Sequence, residues 1–487
     1  MKLTLLPLLL ILSSVLTGQT FIEDSQFSSS DGLELSSIAF ADVDGDNDQD
    51  LLVTGTNSPS LKVSTLYLND GAGNFSEMSG TPFEGVDNST VDFADVDGDN
   101  DLDVLITGSL DFFSNKISKL YTNDGEGNFA EVMNTPFDPI SNGAVAFIDV
   151  DGDNDLDLLM TGSDESSMRL TKLYTNDGIG NFTQNMGTPF DNVSNSSIAF
   201  ADVDGDNDQD VLIAGGDSFG GRLTKLYSND GSGNFTEMLG TPFDNVHFSS
   251  IAFTDVDSDT DFDLIITGRT IGSSKIAKLY LNDGAGNFTE KIDTPFEAVE
   301  NSAISLGDLD GDDDQDLLLT GINSQFTSIT KLYTNDGAGN FTEVSGNSLE
   351  GVADGSVAFA DVDGDNDQDI VISGFNTITF DRVLKLYLNE GTTSTTDDFT
   401  YQLDLNYSIY PNPPVENSLN ISLESSGNEG LFLKVFDPKG VLLIQENLST
   451  IAGKQSFAFD ITSLTKGIYF VQLDNTEKIR TSTFVVQ

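Results

Sequence analysis

The chain has 487 residues, no cysteine, no tryptophan and a single histidine, His247. Disulfides, thiolate metal sites and cysteine nucleophiles are therefore excluded, and the length calls for two or more folded units. With 80 acidic against 21 basic residues the net charge is −59, which disfavours nucleic acid and anionic membrane surfaces as partners, since both are polyanions. Disorder is a poor reading of this acidity, because 38% of the residues are apolar and 34 are phenylalanine.

The N-terminus, MKLTLLPLLLILSSVLTGQT, sets one lysine before a short apolar run. That layout predicts a signal peptide over residues 1–19, cleaved between Thr17 and Thr20. No cysteine follows it to take a lipid, and no later segment is long and apolar enough to cross a membrane.

A nine-residue acidic string then recurs seven times, beginning at Asp42, Asp95, Asp149, Asp202, Asp255, Asp308 and Asp361, at spacings of 53 or 54 residues. A fixed period of this size predicts an array or a propeller. In the first repeat IAFADV, LLVTG, TLYLND and GNFSEM read as four short strands separated by turn residues. Four strands per ~50 residues fit a propeller blade. Six repeats carry the turn NDGxGNF, whereas the seventh stops at NEG, Asn389 to Gly391. Phe21-Ile22-Glu23 resembles the missing fourth strand, so the N-terminal strand is expected to complete the last repeat. The prediction is an all-β, seven-bladed β-propeller over residues 20–391, closed by that strand, because open ends would leave unpaired edges.

Each string has the pattern D-x-D-x-D-x-D-x-D, which offers carboxylates at positions one, three and five, a carbonyl at seven and a carboxylate at nine. Oxygen-only ligation suits Ca²⁺. The candidate ligands are Asp42, Asp44, Asp46, Asp48 and Asp50, then Asp95, Asp97, Asp99, Asp101 and Asp103 in the second repeat. The third and fourth repeats supply Asp149, Asp151, Asp153, Asp155, Asp157, Asp202, Asp204, Asp206, Asp208 and Asp210. The fifth and sixth supply Asp255, Asp257, Asp259, Asp261, Asp263, Asp308, Asp310, Asp312, Asp314 and Asp316. Asp361, Asp363, Asp365, Asp367 and Asp369 complete the set. Up to seven Ca²⁺ are expected, one per blade. An EF-hand is disfavoured by Val53 at position twelve and by β-like flanks. Position six must tolerate a positive φ, which suits the Asn found in five copies, and Thr260 predicts that the fifth site is the weakest.

These strings and their flanks, as in AFADVDGDNDQDLLVTG, resemble the FG-GAP and VCBS-type repeats also found in the integrin α-subunit propeller. The resemblance implies calcium loops between the first two strands of each blade, on one rim, and is nearly silent on ligand.

The repeats differ most between their second and third strands, so those stretches are the candidate recognition surface. Of the 14 basic residues from Lys62 to Lys385, all but Lys291 lie there or on the adjoining strand. They predict either a basic face for an anionic glycan or acidic protein, or simple pairing of the KLY lysines with neighbouring acids. Phe112, Phe113, Phe219 and Phe380 are contact candidates. His247 sits in no repeated motif and has no nucleophile beside it, so no catalytic residue is assigned.

After a polar linker at 392–406, residues 407–487 read as a small Ig-like β-sandwich. Tyr410-Pro411-Asn412-Pro413 and the Gly467-Ile468-Tyr469 strand resemble the C-terminal sorting domain of the type IX secretion system, which implies export by a Gram-negative cell and loss of the tail. The expected function is a secreted or surface-attached calcium-binding propeller that acts in adhesion or in binding glycan or protein. The alternatives are a polysaccharide lyase or hydrolase with a channel site, or a structural surface component.

Overall fold

The computed structural model describes residues 19–27, 31–58, 61–111 and 115–392, and in the C-terminal part most of 406–486. The expected signal peptide up to residue 18, and Phe112 and Phe113, lie outside the described residues. The chain divides into two compact units, one formed by Gly18–Thr392 and the other containing Thr393–Gln487. All named elements among the described residues are β-strands.

In the larger unit the strands form seven antiparallel meanders. The first runs Glu34–Ala41, Asp50–Ser58, Leu61–Leu68 and Ser76–Glu77, paired in that order. The second strand of each repeat is buried on both faces, as in Asp103–Ser109, which is why it reads as a continuous apolar run rather than an alternation. The fourth strand is only two or three residues long. In the seventh repeat that edge is taken by the N-terminal strand Gln19–Asp24, which pairs antiparallel with Arg382–Thr392; Ile22 faces Leu388 and Glu23 faces Tyr387.

Three kinds of contact join one repeat to the next. First, apolar cores straddle the boundary: Leu51 and Val53 of the first repeat share a core with Val371 and Leu386 of the seventh. Second, an aromatic from six of the seven connections packs on the next repeat, as Phe83 does on Tyr121 and Phe129, with ring centroids 5.0 and 5.1 Å apart; the connection into the seventh repeat has Leu349 there instead. Phe27, after the N-terminal strand, does the same for Tyr67 and Phe75. Edge and tilted geometries of this kind suit the aromatic quadrupole. Third, the Asn of each NDG turn is buried and donates through Nδ2 to a main-chain oxygen of the preceding repeat. Asn229 reaches Val150 O at 2.8 Å, and Asn69 reaches Val362 O of the seventh repeat at the same distance.

A backbone relay links the starts of all seven first strands. Asn142 N–H donates to Asn88 O, Asn195 to Asn142, Phe248 to Asn195, Asn301 to Phe248, Asp354 to Asn301 and Leu35 to Asp354. Each of these residues has a positive φ between 46 and 54°, and together they line one pocket of about 170 Å³. Asn tolerates this conformation best among them. Burial, reinforced by Glu34 and Glu300, pushes the Asp354 carboxyl up to about 6.

In the smaller unit a three-stranded sheet and a four-stranded sheet share one core, with Ile421 and Phe459 from the first against Leu433, Val435 and Val471 from the second.

Two outcomes are expected. Asn229→Ala removes the bond to Val150 O and the one its Oδ1 accepts from Asp230 N–H, and is expected to cost roughly 1–3 kcal/mol in urea unfolding. Asp354→Asn keeps the shape and the tolerance for positive φ. A carboxyl raised on folding contributes stability below its unfolded pKa that is lost as pH rises through its folded pKa. The variant is therefore expected to gain on the order of 1–2 kcal/mol over the parent at pH 8 and little at pH 4, read from melts at the two pH values.

Candidate functional site

Each acidic string is the hairpin turn between the first and second strands; in the first repeat Ala41 pairs with Asp50 across it. Asp42 ties the turn to itself, its Oδ1 accepting from Gly45 N–H at 2.8 Å and its Oδ2 from Asn47 N–H at 2.9 Å. Asp46 Oδ1 accepts from Asp48 N–H at 3.0 Å. Asp50 is buried and fully engaged, with Oδ2 accepting from Val43 N–H at 3.0 Å and Oδ1 from Asn69 N–H at 2.9 Å. The Asp48 carboxylate lies against Gly71 of the NDG turn, where a Cβ would come within 2.5 Å of its Oδ2. That turn glycine, at φ 70°, cannot be replaced without displacing the acid.

The curl demands positive φ at two positions. Position six takes 69–76° on Asn47, Asn100, Asn154, Asn207, Thr260, Asp313 and Asn366, as the sequence implied. Position four has the same need: six copies place Gly there, and the fifth places Ser258 at φ 62°. The fifth turn thus holds two ill-suited residues, Ser258 and Thr260.

Carboxylate oxygens crowd together inside these turns. In the first repeat oxygens of Asp42, Asp44 and Asp50 lie within 4.8 Å of one another, and Asp95, Asp97 and Asp99 do the same in the second. Position three carries the sharpest signal. Asp44, Asp97, Asp151, Asp204, Asp257, Asp310 and Asp363 each bury Oδ1 without a hydrogen-bond partner. One such orphan is costly, and seven at equivalent places fit the donor side of a cation site. Burial raises the Asp44 carboxyl, and Asp46 raises it further by repulsion. Burial also pushes Asp50 up to about 6, against the pull of the Val43 and Asn69 N–H groups, and takes Asp316 and Asp369 to about 7. A hard divalent cation would reverse the pressure on all of these groups. The donor set is oxygen throughout, so the residues present fit Ca²⁺.

On the third strands, opposite the middle of the second, the KLY lysines are engaged by acids. Lys119 pairs with Glu84 at 2.6 Å and Glu131 at 2.9 Å, Lys225 with Asp191 and Glu237, and Lys278 with Asp244 and Glu290. Lys172, Lys331 and Lys385 are likewise paired. These six lysines take the pairing alternative, and the basic surface shrinks to the residues at the starts of the third strands. Phe219 and Phe380 are 97% and 74% exposed. His247 accepts a hydrogen bond at Nε2 from Arg269 Nε at 3.2 Å. Burial, then Arg222, Arg269 and Arg169, depress its pKa to about 4.

The FG-GAP-like repeat family matches residues 42–106, 149–213, 255–319 and 308–372, and the family described as secretion system C-terminal sorting domain matches 408–487. No curated relative matches the chain. Among solved structures, a fungal alcohol oxidase of the AA5 family in complex with copper is 11% identical, covers 94% of this chain and 97% of its own, and has a TM-score of 0.48. A mutant Aleuria aurantia lectin in complex with alpha-methyl-L-fucoside is 9% identical over 64% and 96%, with a TM-score of 0.35. A thermostable family-43 glycoside hydrolase is 9% identical over 55% and 96%, at 0.31.

Ser258→Gly combined with Thr260→Asn gives the fifth turn the residues its backbone requires. The double variant is expected to gain about 1–2 kcal/mol in urea unfolding, whereas the same pair of changes reversed in the fourth turn, Gly205→Ser with Asn207→Thr, is expected to lose a similar amount.

Proposed function

The chain belongs to the FG-GAP-like repeat family and ends in a secretion system C-terminal sorting domain, and we propose that it is a calcium-loaded, seven-bladed β-propeller that binds an extracellular glycan or protein. The sorting domain sends it through the type IX system to the cell surface or the extracellular space. A signal peptide over 1–19 takes it across the inner membrane, and the tail, an Ig-like sandwich, is removed on export.

Closure into a ring is supported by contacts between the first and seventh repeats: the N-terminal strand on Arg382–Thr392, the shared core of Leu51 and Val371, and the Asn69–Val362 bond. Calcium is supported by the seven orphaned position-three oxygens. The carboxylates at positions one, three, five and nine would hold each ion, with the position-seven carbonyl, and the ion supplies the positive charge that the crowded acids lack.

The observation that carries the binding role is the row of apolar tips on the variable turns. Leu61, Met168, Phe219, Ile271, Phe326 and Phe380, from six of the repeats, are 52–97% exposed. A frame that repeats while its exposed apolar tips differ is the layout of a recognition surface. Adhesion at a cell surface is the role this layout suits. Catalysis has no support in His247, whose Nε2 lone pair is taken by Arg269.

In millimolar Ca²⁺ the full chain is expected to bind six or seven ions by calorimetry and to melt at least 10 °C higher than in excess chelator. Phe219→Ser and Phe380→Ser together are expected to lower retention on a glycan and protein array at least tenfold while leaving the melt unchanged. An unshifted melt with no bound ion would overturn the calcium reading. Unchanged retention in the double variant, or release of product from a polysaccharide, would overturn the binding role of the turns.

A further inference from the structure

One position at the start of the third strand is basic in six repeats: Lys62, Lys116, Arg169, Arg222, Lys275 and Arg382, with Ser328 in the sixth. These side chains reach toward the next repeat around the axis. Lys62 Nζ donates to Ser109 O at 2.9 Å, Lys116 Nζ to Ser163 O at 2.7 Å, Arg222 Nη1 to Thr270 O, and Lys275 Nζ to Ile322 O at 3.0 Å. The residue that can answer each charge sits just before the backbone relay, and it differs between repeats. Lys62 meets Asp87 at 2.7 Å, Lys275 meets Glu300 at 3.0 Å, and Arg382 meets Glu34. The equivalent positions in the third, fourth and fifth repeats hold Ser141, Ser194 and His247.

Three consecutive cations, Lys116, Arg169 and Arg222, are therefore left without the carboxylate that neutralises the others. Arg269 adds a fourth beside His247, and it shares Glu300 with Lys275. Among the described residues Glu300 is the only carboxylate ion-paired to any of these five side chains, although Asp164 and Glu165 lie near Lys116. Arg169 Nη1 and Arg222 Nε are buried without an acceptor. In a chain of net charge −59, an arc of cations with unused guanidinium donors is a site built for an anion. His247 sits within it and accepts from Arg269, which keeps it from adding a further charge.

The arc borders the axial pocket. Arg269 Cζ stands 4.9 Å from the centroid of the Phe248 ring, and Phe248 lines that pocket with Asn142, Asn195, Ser196 and Ser249. Amides and hydroxyls there match the hydroxyl groups of a sugar. We propose that Arg169, Arg222 and Arg269, an arc that meets the axial pocket where Arg269 packs on Phe248, bind the acidic group of an anionic polysaccharide. The assignment rests on the binding role above and narrows it to a ligand class.

The test uses the full chain in millimolar Ca²⁺ with four immobilised probes: hyaluronan for sugar carboxylate, dextran sulfate for sugar sulfate, neutral dextran, and poly-L-glutamate. Retention on hyaluronan or dextran sulfate, with little on the other two, is expected, and whichever of the two binds identifies the acidic group. Ser194→Asp with His247→Glu restores the carboxylates that other repeats carry and is expected to weaken retention at least tenfold without lowering the melting temperature. Arg169→Gln, which removes a cation instead of adding an anion, is expected to do the same. Unchanged retention in both variants, or equal retention on poly-L-glutamate, would overturn the assignment. Retention on neutral glycans alone would overturn it while leaving the general binding role standing, and a wild type that retains no glycan or protein at all would overturn both.

Discussion

In every repeat one buried carboxylate ties together three parts of the chain that are distant in sequence. Asp50 accepts from Val43 N–H inside its own turn and from Asn69 N–H at the end of the third strand. Asn69 then reaches through its side chain to Val362 of the neighbouring repeat. Asp210 and Asn229 make the same linkage, and so do their equivalents around the unit. The position of each acidic turn, the end of the third strand and the seating of one repeat on the next all follow from this linkage. Because the acid is buried, its ionised form is sustained only by those two N–H groups and by whatever cation the turn holds.

The acids grouped around that carboxylate make a charge problem that hydrogen bonds alone do not solve. The first and fifth positions spend oxygens on backbone N–H groups, but the third keeps one buried oxygen unanswered in all seven turns. A protein without cysteine cannot restrain its unfolded chain with disulfides. An ion that bound only the folded turns would supply stability by mass action instead. The extracellular destination set by the sorting domain is a setting in which weak oxygen sites for calcium are commonly filled.

The two ends of each repeat divide the work. At the end carrying the acidic turns the seven copies are nearly identical, because backbone curl and the hydrogen bonds within each turn leave little freedom. At the opposite end the turns diverge, apolar tips are exposed, and charge balance varies from repeat to repeat. The KLY lysines are part of the frame, since each lies against acids on neighbouring strands, for example Lys225 between Asp191 and Glu237. Departure from the repeat is therefore more informative there than the repeat itself. His247 where three repeats hold an acid, and Phe248 where four hold an Asn, are two such departures.

Much of this was written in the sequence. The period, the four short strands, the truncated seventh repeat and its counterpart at Phe21 are all local patterns that hydrophobic alternation and turn residues make visible. The need for positive φ at position six was equally legible, since Asn is the residue that tolerates it. Its partner at position four was obscured because Gly there looks ordinary until Ser258 replaces it. Other features were decided only by the tertiary structure. The bond from Asn69 spans 293 residues of sequence, and no local pattern names Val362 as its acceptor. The same limit applied to the lysines, for which sequence offered both an open basic face and simple pairing. Which cations stay unanswered depends on the residue each one meets across a repeat boundary, and that juxtaposition exists only once the repeats are packed side by side.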